Sequence, residues 1–239
     1  MLKLYITESI YLLKNKMYSN DKLIKKETWH KELSKIGWNK LPVQWIKLLN
    51  KVSENPPKNS LYGCLDCGSD GNCFFHCISE SLNSQSIHTR DCIHYTSDTL
   101  REKLSNFITR RKFNDIIQLY RIMKDTNDFE ESWDPYSVQT LEQFRQIIKD
   151  NDDYWCDNIL LSEMISMLHL NIVILLSDSI QKKYSYYNIC QEYNPYYQTV
   201  ILLYEDSNHF LLVGKFIEHK MIVIFDDTTL PDEIKHYII

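Results

Sequence analysis

A chain of 239 residues, 44% of them hydrophobic, is long enough to bury one full-sized core. Its 27 basic and 32 acidic residues give a net charge of -5 with no basic stripe, which argues against nucleic acid as the partner. Five glycines and six prolines exclude collagen-like and low-complexity classes, and the longest uncharged apolar run, around Ile172 to Leu176, is too short to cross a bilayer.

Taken in chain order, Leu2, Ile6, Ile10, Leu13 and Met17 fall at helical spacing and predict an amphipathic opening helix, too interrupted by polar residues to read as a signal peptide. Thr28 is placed to cap a second helix carrying Trp29, Leu33 and Ile36. Pro42 fits the first turn of a third, with Trp45, Leu48, Leu49 and Val52 facing inward. The polar, proline-containing run 53–60 reads as a linker, so residues 1–60 are expected to form a helical appendage and 61–239 a separate domain.

Beyond the linker, helices are predicted over Cys73–Leu82, from a Ser97 cap through Ile108, and over Phe113–Met123, Ser137–Ile148 and Asp157–Leu168. Short β-branched and aromatic runs at Asn171–Leu176, Thr199–Tyr204, Phe210–Phe216 and Met221–Phe225 predict strands. Helices first and strands later imply an α+β fold with helices packed on a mostly antiparallel sheet.

The segment from Gly68 to Phe75 carries the chemistry. A tight polar turn, Gly68-Ser69-Asp70-Gly71-Asn72, runs into an apolar helix and presents Cys73 at its N-terminus. Unpaired N–H groups and the helix dipole favour a thiolate there, and the same N–H groups can hold an oxyanion. Gly71 supplies the backbone freedom that such a turn needs.

Asp70-Gly71-Asn72-Cys73-Phe74-Phe75 resembles the hallmark of the ovarian tumour (OTU) family of cysteine proteases, with His76 where arginine is common. Asp98-Thr99-Leu100-Arg101 resembles the family's next helix, and Tyr154-Trp155-Cys156-Asp157 the start of the helix before its central strands. Asn208-His209-Phe210 is similar to its histidine segment. The resemblance covers roughly residues 61–239 and implies an OTU-like fold with Cys73 as nucleophile, His209 as base and Asp70 as part of the active site. It implies a thiol-dependent deubiquitinase acting on ubiquitin, polyubiquitin or a related modifier, without cofactor or metal. The alternative is a catalytically silent OTU-like module that only binds ubiquitin or another protein.

Seven cysteines, an odd number without framework spacing, point to free thiols in a reducing compartment, so a cytoplasmic location is expected, in a host cytosol if the source is a virus or an intracellular parasite. Cys64 and Cys67 form a CxxC pair that invites a zinc reading with Cys92 and His94, although no second pair has ligand spacing. His76 is expected to pack or face substrate. The tyrosines at 184, 186, 187, 193, 196 and 197 read either as half-buried strand residues or as a recognition surface.

One position departs from the family pattern. Two residues after the histidine, where Asn or Asp is usual, stands Leu211, so the imidazole must be oriented from elsewhere. Asp70 and Asn208 are candidates. A third follows from strand geometry: a hairpin turning at Glu218 and His219 would set Asp226 opposite Leu211, diagonal to His209, while a one-residue slip would bring Asp227 round instead.

Overall fold

The computed structural model describes residues 7, 9–54, 56, 60–68, 71–86, 94–129, 131–150, 156–178, 183–188, 193–206 and 208–238. Asp70, Cys92, Tyr154 and Trp155 therefore lie outside the described residues.

The described part of the predicted opening helix instead begins a strand meander of β1 (Ile10–Leu13), β2 (Lys16–Ser19) and β3 (Lys22–Leu23). Two-residue turns at Lys14-Asn15 and Asn20-Asp21, all four residues in the left-handed region, set this pairing. Helix α1 (Trp29–Leu33) follows Thr28, whose side chain makes no cap bond, and β4 (Trp38–Lys40) precedes α2 (Val43–Val52). Trp45 and Leu49 of α2 face inward as expected.

The main sheet is built from β4, β5 (Tyr62–Leu65), β6 (Leu170–Asp178), β7 (Lys183–Asn188), β8 (Gln198–Glu205), β9 (His209–Ile217), β10 (Lys220–Ile222) and β11 (Ile224–Phe225), in the order β4-β5-β9-β8-β6-β7. All its described pairings are antiparallel except β6 with β8. Helices α3 (Cys73–Ser86), α4 (Ser97–Phe107), α5 (Arg110–Asp125), α6 (Leu141–Lys149) and α7 (Asn158–Leu168) supply the α layer. Their starts are well specified: Thr96 with Thr99 and Thr140 with Gln143 form capping boxes, and Asp157 accepts from the N–H groups of Ile159 and Leu160. The cap at α4 is thus Thr96, not Ser97.

Two apolar cores sandwich the sheet. Ile172, Ile174, Val200, Leu202 and Leu212 point to the core shared with α3 to α7. Val173, Leu175, Ile201, Leu203 and Val213 point to the other, shared with α2 and α8 (Asp232–Ile238). Burial on both faces explains why β6 and β8 read as continuous apolar runs without alternation.

The expected boundary at residue 60 does not separate two cores. Ile10, Met17, Trp29 and Trp38 belong to the same cluster as Phe74 and Phe75, and β4 pairs with β5 inside the main sheet. Trp29 stacks on Phe216 at 6.1 Å, its Nε1–H donates to the Ser60 carbonyl at 3.1 Å, and the Met17 N–H donates to the His219 carbonyl at 2.8 Å. The described residues before 61 thus hold α1 and α2 together with β4, an edge strand of the main sheet.

Candidate active site

Cys73 opens α3, as the sequence predicts, and Asn72 precedes it with its carbonyl accepting the His76 N–H at 2.8 Å. The approach to the helix depends on two glycines. Gly68 and Gly71 take φ of 148° and 76°, conformations that favour glycine, and a Cβ on Gly68 would stand 2.8 Å from Cδ2 of His76. His76 therefore packs against the loop.

His209 begins β9, and the sheet brings it to Cys73 through its neighbour. The Phe210 carbonyl accepts from the thiol of Cys77, one helical turn after Cys73, at 3.5 Å, and the Phe210 N–H lies near enough to Cys73 to favour its ionised form. The two thiols stand one turn apart on α3 and face the same residue of β9. The Phe210 ring fixes the same contact, edge-on to Phe74 at 5.5 Å and stacked on Tyr204 at 4.4 Å.

The partner of the imidazole is Asp66, which the sequence reading did not single out. Its Oδ1 accepts from His209 Nε2 at 3.3 Å and from the Gly68 N–H at 2.9 Å. Strand register explains the meeting: β5 pairs with β9 as Leu65 with Leu212, so the next residue, Asp66, comes opposite Leu211 and diagonal to His209. A carboxylate can only accept, so Nε2 carries a proton, and whenever the ring is neutral the lone pair sits on Nδ1. On the other flank Glu205 lies directly across from His209 in β8, and burial raises its pKa.

Asp226 is not that partner. The hairpin turns at Glu218 and His219 with the expected register, Met221 opposite Phe216 and Ile222 opposite Lys215. The strand then breaks at the buried Val223, and β11 leaves β9 to pair with the far end of β8, Phe225 opposite Thr199. His209 pairs with Glu205, and Thr199 to Glu205 is about 20 Å of strand at ~3.3 Å per residue. Asp226 instead accepts from Thr228 Oγ1, Thr229 Oγ1 and the Thr229 N–H at 2.7–2.9 Å, and Asp227 accepts from Tyr193 Oη at 2.8 Å. Asn208 lies exposed in the β8–β9 turn.

A zinc site on the CxxC pair is corrected by the same strand. Cys64 is buried in the core beside Trp45 and Cys67 in the opposite core beside Phe74, so their sulfurs lie on opposite faces of the sheet. Burial pushes the Cys64 thiol up to about 12. Among the described residues no three His, Cys, Asp or Glu side chains form a metal-binding group. Of the tyrosines between residues 184 and 197, Tyr193 donates to Asp227, Tyr197 meets His169 Nδ1 at 3.1 Å, and Tyr196 is 93% exposed.

Burial raises the Cys73 pKa above the usual thiol value, and the nearby Asp66 charge adds to this. The N–H groups of Phe210, Phe74 and Cys73 pull the other way without overcoming it. The helix-terminal donors expected from the sequence are present, yet desolvation wins, and at neutral pH the resting group is a thiol that a base must deprotonate. Alkylation of Cys73 by iodoacetamide should therefore keep climbing as pH rises past that of an ordinary cysteine. A plateau already reached at pH 7 would mean a resting thiolate.

Replacing Asp66 separates orientation from charge. An asparagine at this position would keep an oxygen that can accept from Gly68 N–H and His209 Nε2–H, so Asp66→Asn is expected to cost about tenfold or less in turnover, whereas Asp66→Ala costs on the order of a hundredfold. The Asp66 side chain is 58% exposed, so its charge is screened and the loss is one of geometry. Asp226→Asn serves as the control and should be silent. Equal rates for wild type and Asp66→Ala would remove Asp66 from the site.

The family model of the OTU-like cysteine protease matches residues 68–210, more than half of the chain, and begins just after Asp66. Solved structures of similar shape include the OTUD1 OTU domain, at 16% identity and TM-score 0.42 over 64% of this chain and 85% of that one. The Hazara virus OTU bound to ubiquitin is 14% identical with TM-score 0.40, covering 66% of this chain and 85% of its own. An OTU deubiquitinase from Wolbachia pipientis wMel bound to ubiquitin is 15% identical with TM-score 0.41, covering 65% and 96%. No curated protein matches. With a cysteine at the head of α3, a histidine brought to it by β9, and a family match that spans both, the chain belongs to the OTU-like cysteine proteases.

Proposed function

We propose that the protein is a deubiquitinase that hydrolyses the isopeptide bond between the C-terminus of ubiquitin, or of a ubiquitin-like modifier, and a lysine side chain. The observation that carries the reading is Phe210 of β9 set against the α3 turn of Cys73 and Cys77, because it brings the strand that begins with His209 to the head of α3, where Asp66 holds the imidazole.

In this reading His209 takes the Cys73 proton as the sulfur attacks the isopeptide carbonyl. The C–S bond forms, and the carbonyl electrons move onto an oxygen facing the N–H groups at the head of α3. As the tetrahedral intermediate collapses, the C–N bond breaks and the lysine amine leaves with the proton from His209. Water, deprotonated by the same imidazole, then attacks the thioester, the C–S bond breaks, the sulfur takes back the proton from His209, and the modifier departs as a carboxylate. Asp70, the residue before Gly71 in the sequence, belongs to the site in this reading through the family resemblance alone. The thiol chemistry suits a reducing cytoplasm.

A ubiquitin probe carrying a thiol-reactive group at its C-terminus should label Cys73, and a panel of diubiquitins should be cut by the wild type. Binding of ubiquitin with neither labelling nor cleavage would leave a silent binding module in place of the enzyme.

A further inference from the structure

Arg101 sits in the middle of α4 with 1% of its surface exposed. Its guanidinium converges on the residues just before the nucleophile: Nε donates to Asn72 Oδ1 at 2.7 Å and Nη2 to the Gly71 carbonyl at 3.5 Å. Nη1 donates to the carbonyls of Ile148 at 2.9 Å and Asp150 at 3.4 Å, tying the loop to the end of α6. Its plane lies over the Phe75 ring, 4.2 Å from the centroid, two residues beyond Cys73.

A buried guanidinium is costly unless its donors are satisfied, and a lysine cannot replace its planar fork. Here that fork reaches a segment with unusual freedom. Gly71 at φ 76° can rotate its peptide at little cost, and the described peptides are trans, so the Gly71 carbonyl and the Asn72 N–H point in opposite directions. Fixing the carbonyl toward Arg101 fixes that N–H away from it, and the Asn72 side chain, itself 2% exposed, holds the same peptide plane from its other end.

We infer that Arg101 is a positioning residue that locks the Gly71–Asn72 peptide in the one orientation that turns the donors ahead of α3 toward the oxyanion formed on Cys73. This rests on Cys73 being the nucleophile and does not depend on ubiquitin being the substrate. Losing the lock should slow the steps that form an oxyanion and spare those that do not.

Two reagents make that distinction. p-Nitrophenyl acetate acylates the thiol through a tetrahedral oxyanion: the C–S bond forms, the bond to nitrophenolate breaks, and the thiol proton passes to His209. Iodoacetamide alkylates by displacing iodide, with no oxyanion. For Arg101→Lys and for Asn72→Ala, acylation of Cys73 should fall about ten- to a hundredfold while alkylation stays within about threefold of wild type. The double variant should be no slower than the slower single one, because both remove the same lock. Unchanged acylation in whichever variant folds, a parallel fall in both reactions, or additive losses would each overturn the inference. Failure of wild type to cut ubiquitin conjugates would sink the deubiquitinase reading and leave this ratio standing.

Discussion

Cys73→Ala is expected to abolish hydrolysis of ubiquitin conjugates, and His209→Ala to lower it by at least about 10⁴-fold, with the fold retained in both. Cys73 is half-buried at the head of a helix, and removing its sulfur to leave the methyl group of alanine costs on the order of 1 kcal/mol, a few degrees in Tm. His209 sits at the start of β9, and its replacement removes the diagonal contact to Asp66 without emptying a core position. The two variants should differ in a way that assigns their roles. Cys73→Ala should still bind ubiquitin and resist the thiol-reactive probe. His209→Ala should keep a sulfur that iodoacetamide alkylates more readily as pH rises, since the thiol persists and only its base is gone. Wild-type turnover by Cys73→Ala, measured on a ubiquitin-linked fluorophore, would refute the assignment.

The proposed nucleophile and base are legible because each stands at a boundary that the local sequence marks. The Gly-rich turn before Phe74 and Phe75 and the apolar run after His209 each announce one element. Asp66 was not legible for a reason of the same kind. Strand β5 is four residues long, includes Gly63, and is buried at every position, so it lacks both length and alternation. Without β5 there was no strand on that side of β9, and the diagonal argument was applied to the hairpin on its C-terminal side. The hairpin register held, but the break at Val223, which sends β11 across to β8, leaves no mark in a run that reads Met-Ile-Val-Ile-Phe. At the N-terminus, Ile10, Leu13 and Met17 fit a helical stripe, while the competing signal, turns at Lys14-Asn15 and Asn20-Asp21, needs residues other than glycine in the left-handed region.

A chain beginning at Asn59 is expected neither to fold nor to react with a ubiquitin probe, contrary to what a linker at 53–60 suggests. Such a truncation removes Trp29, Trp38 and Trp45, each at most 1% exposed, together with Leu33, Leu41 and Leu49. Emptying the sites of three buried tryptophans at ~3–5 kcal/mol each already matches the ~5–15 kcal/mol by which a domain is stable. The damage also falls on the active site. Without β4 the outer edge of β5 is unpaired, and β5 is the strand that delivers Asp66 to His209. The stacking of Trp29 on Phe216, in the strand that begins with His209, goes with it. A milder version leaves the chain whole: Trp38→Ala, in β4, should cost ~3–5 kcal/mol and lower Tm by more than about 5 °C. It should also slow turnover before unfolding begins, by loosening β5 against β9. A soluble, cooperatively melting 59–239 fragment that labels with the probe at the wild-type rate would show that the N-terminal strands and helices are dispensable.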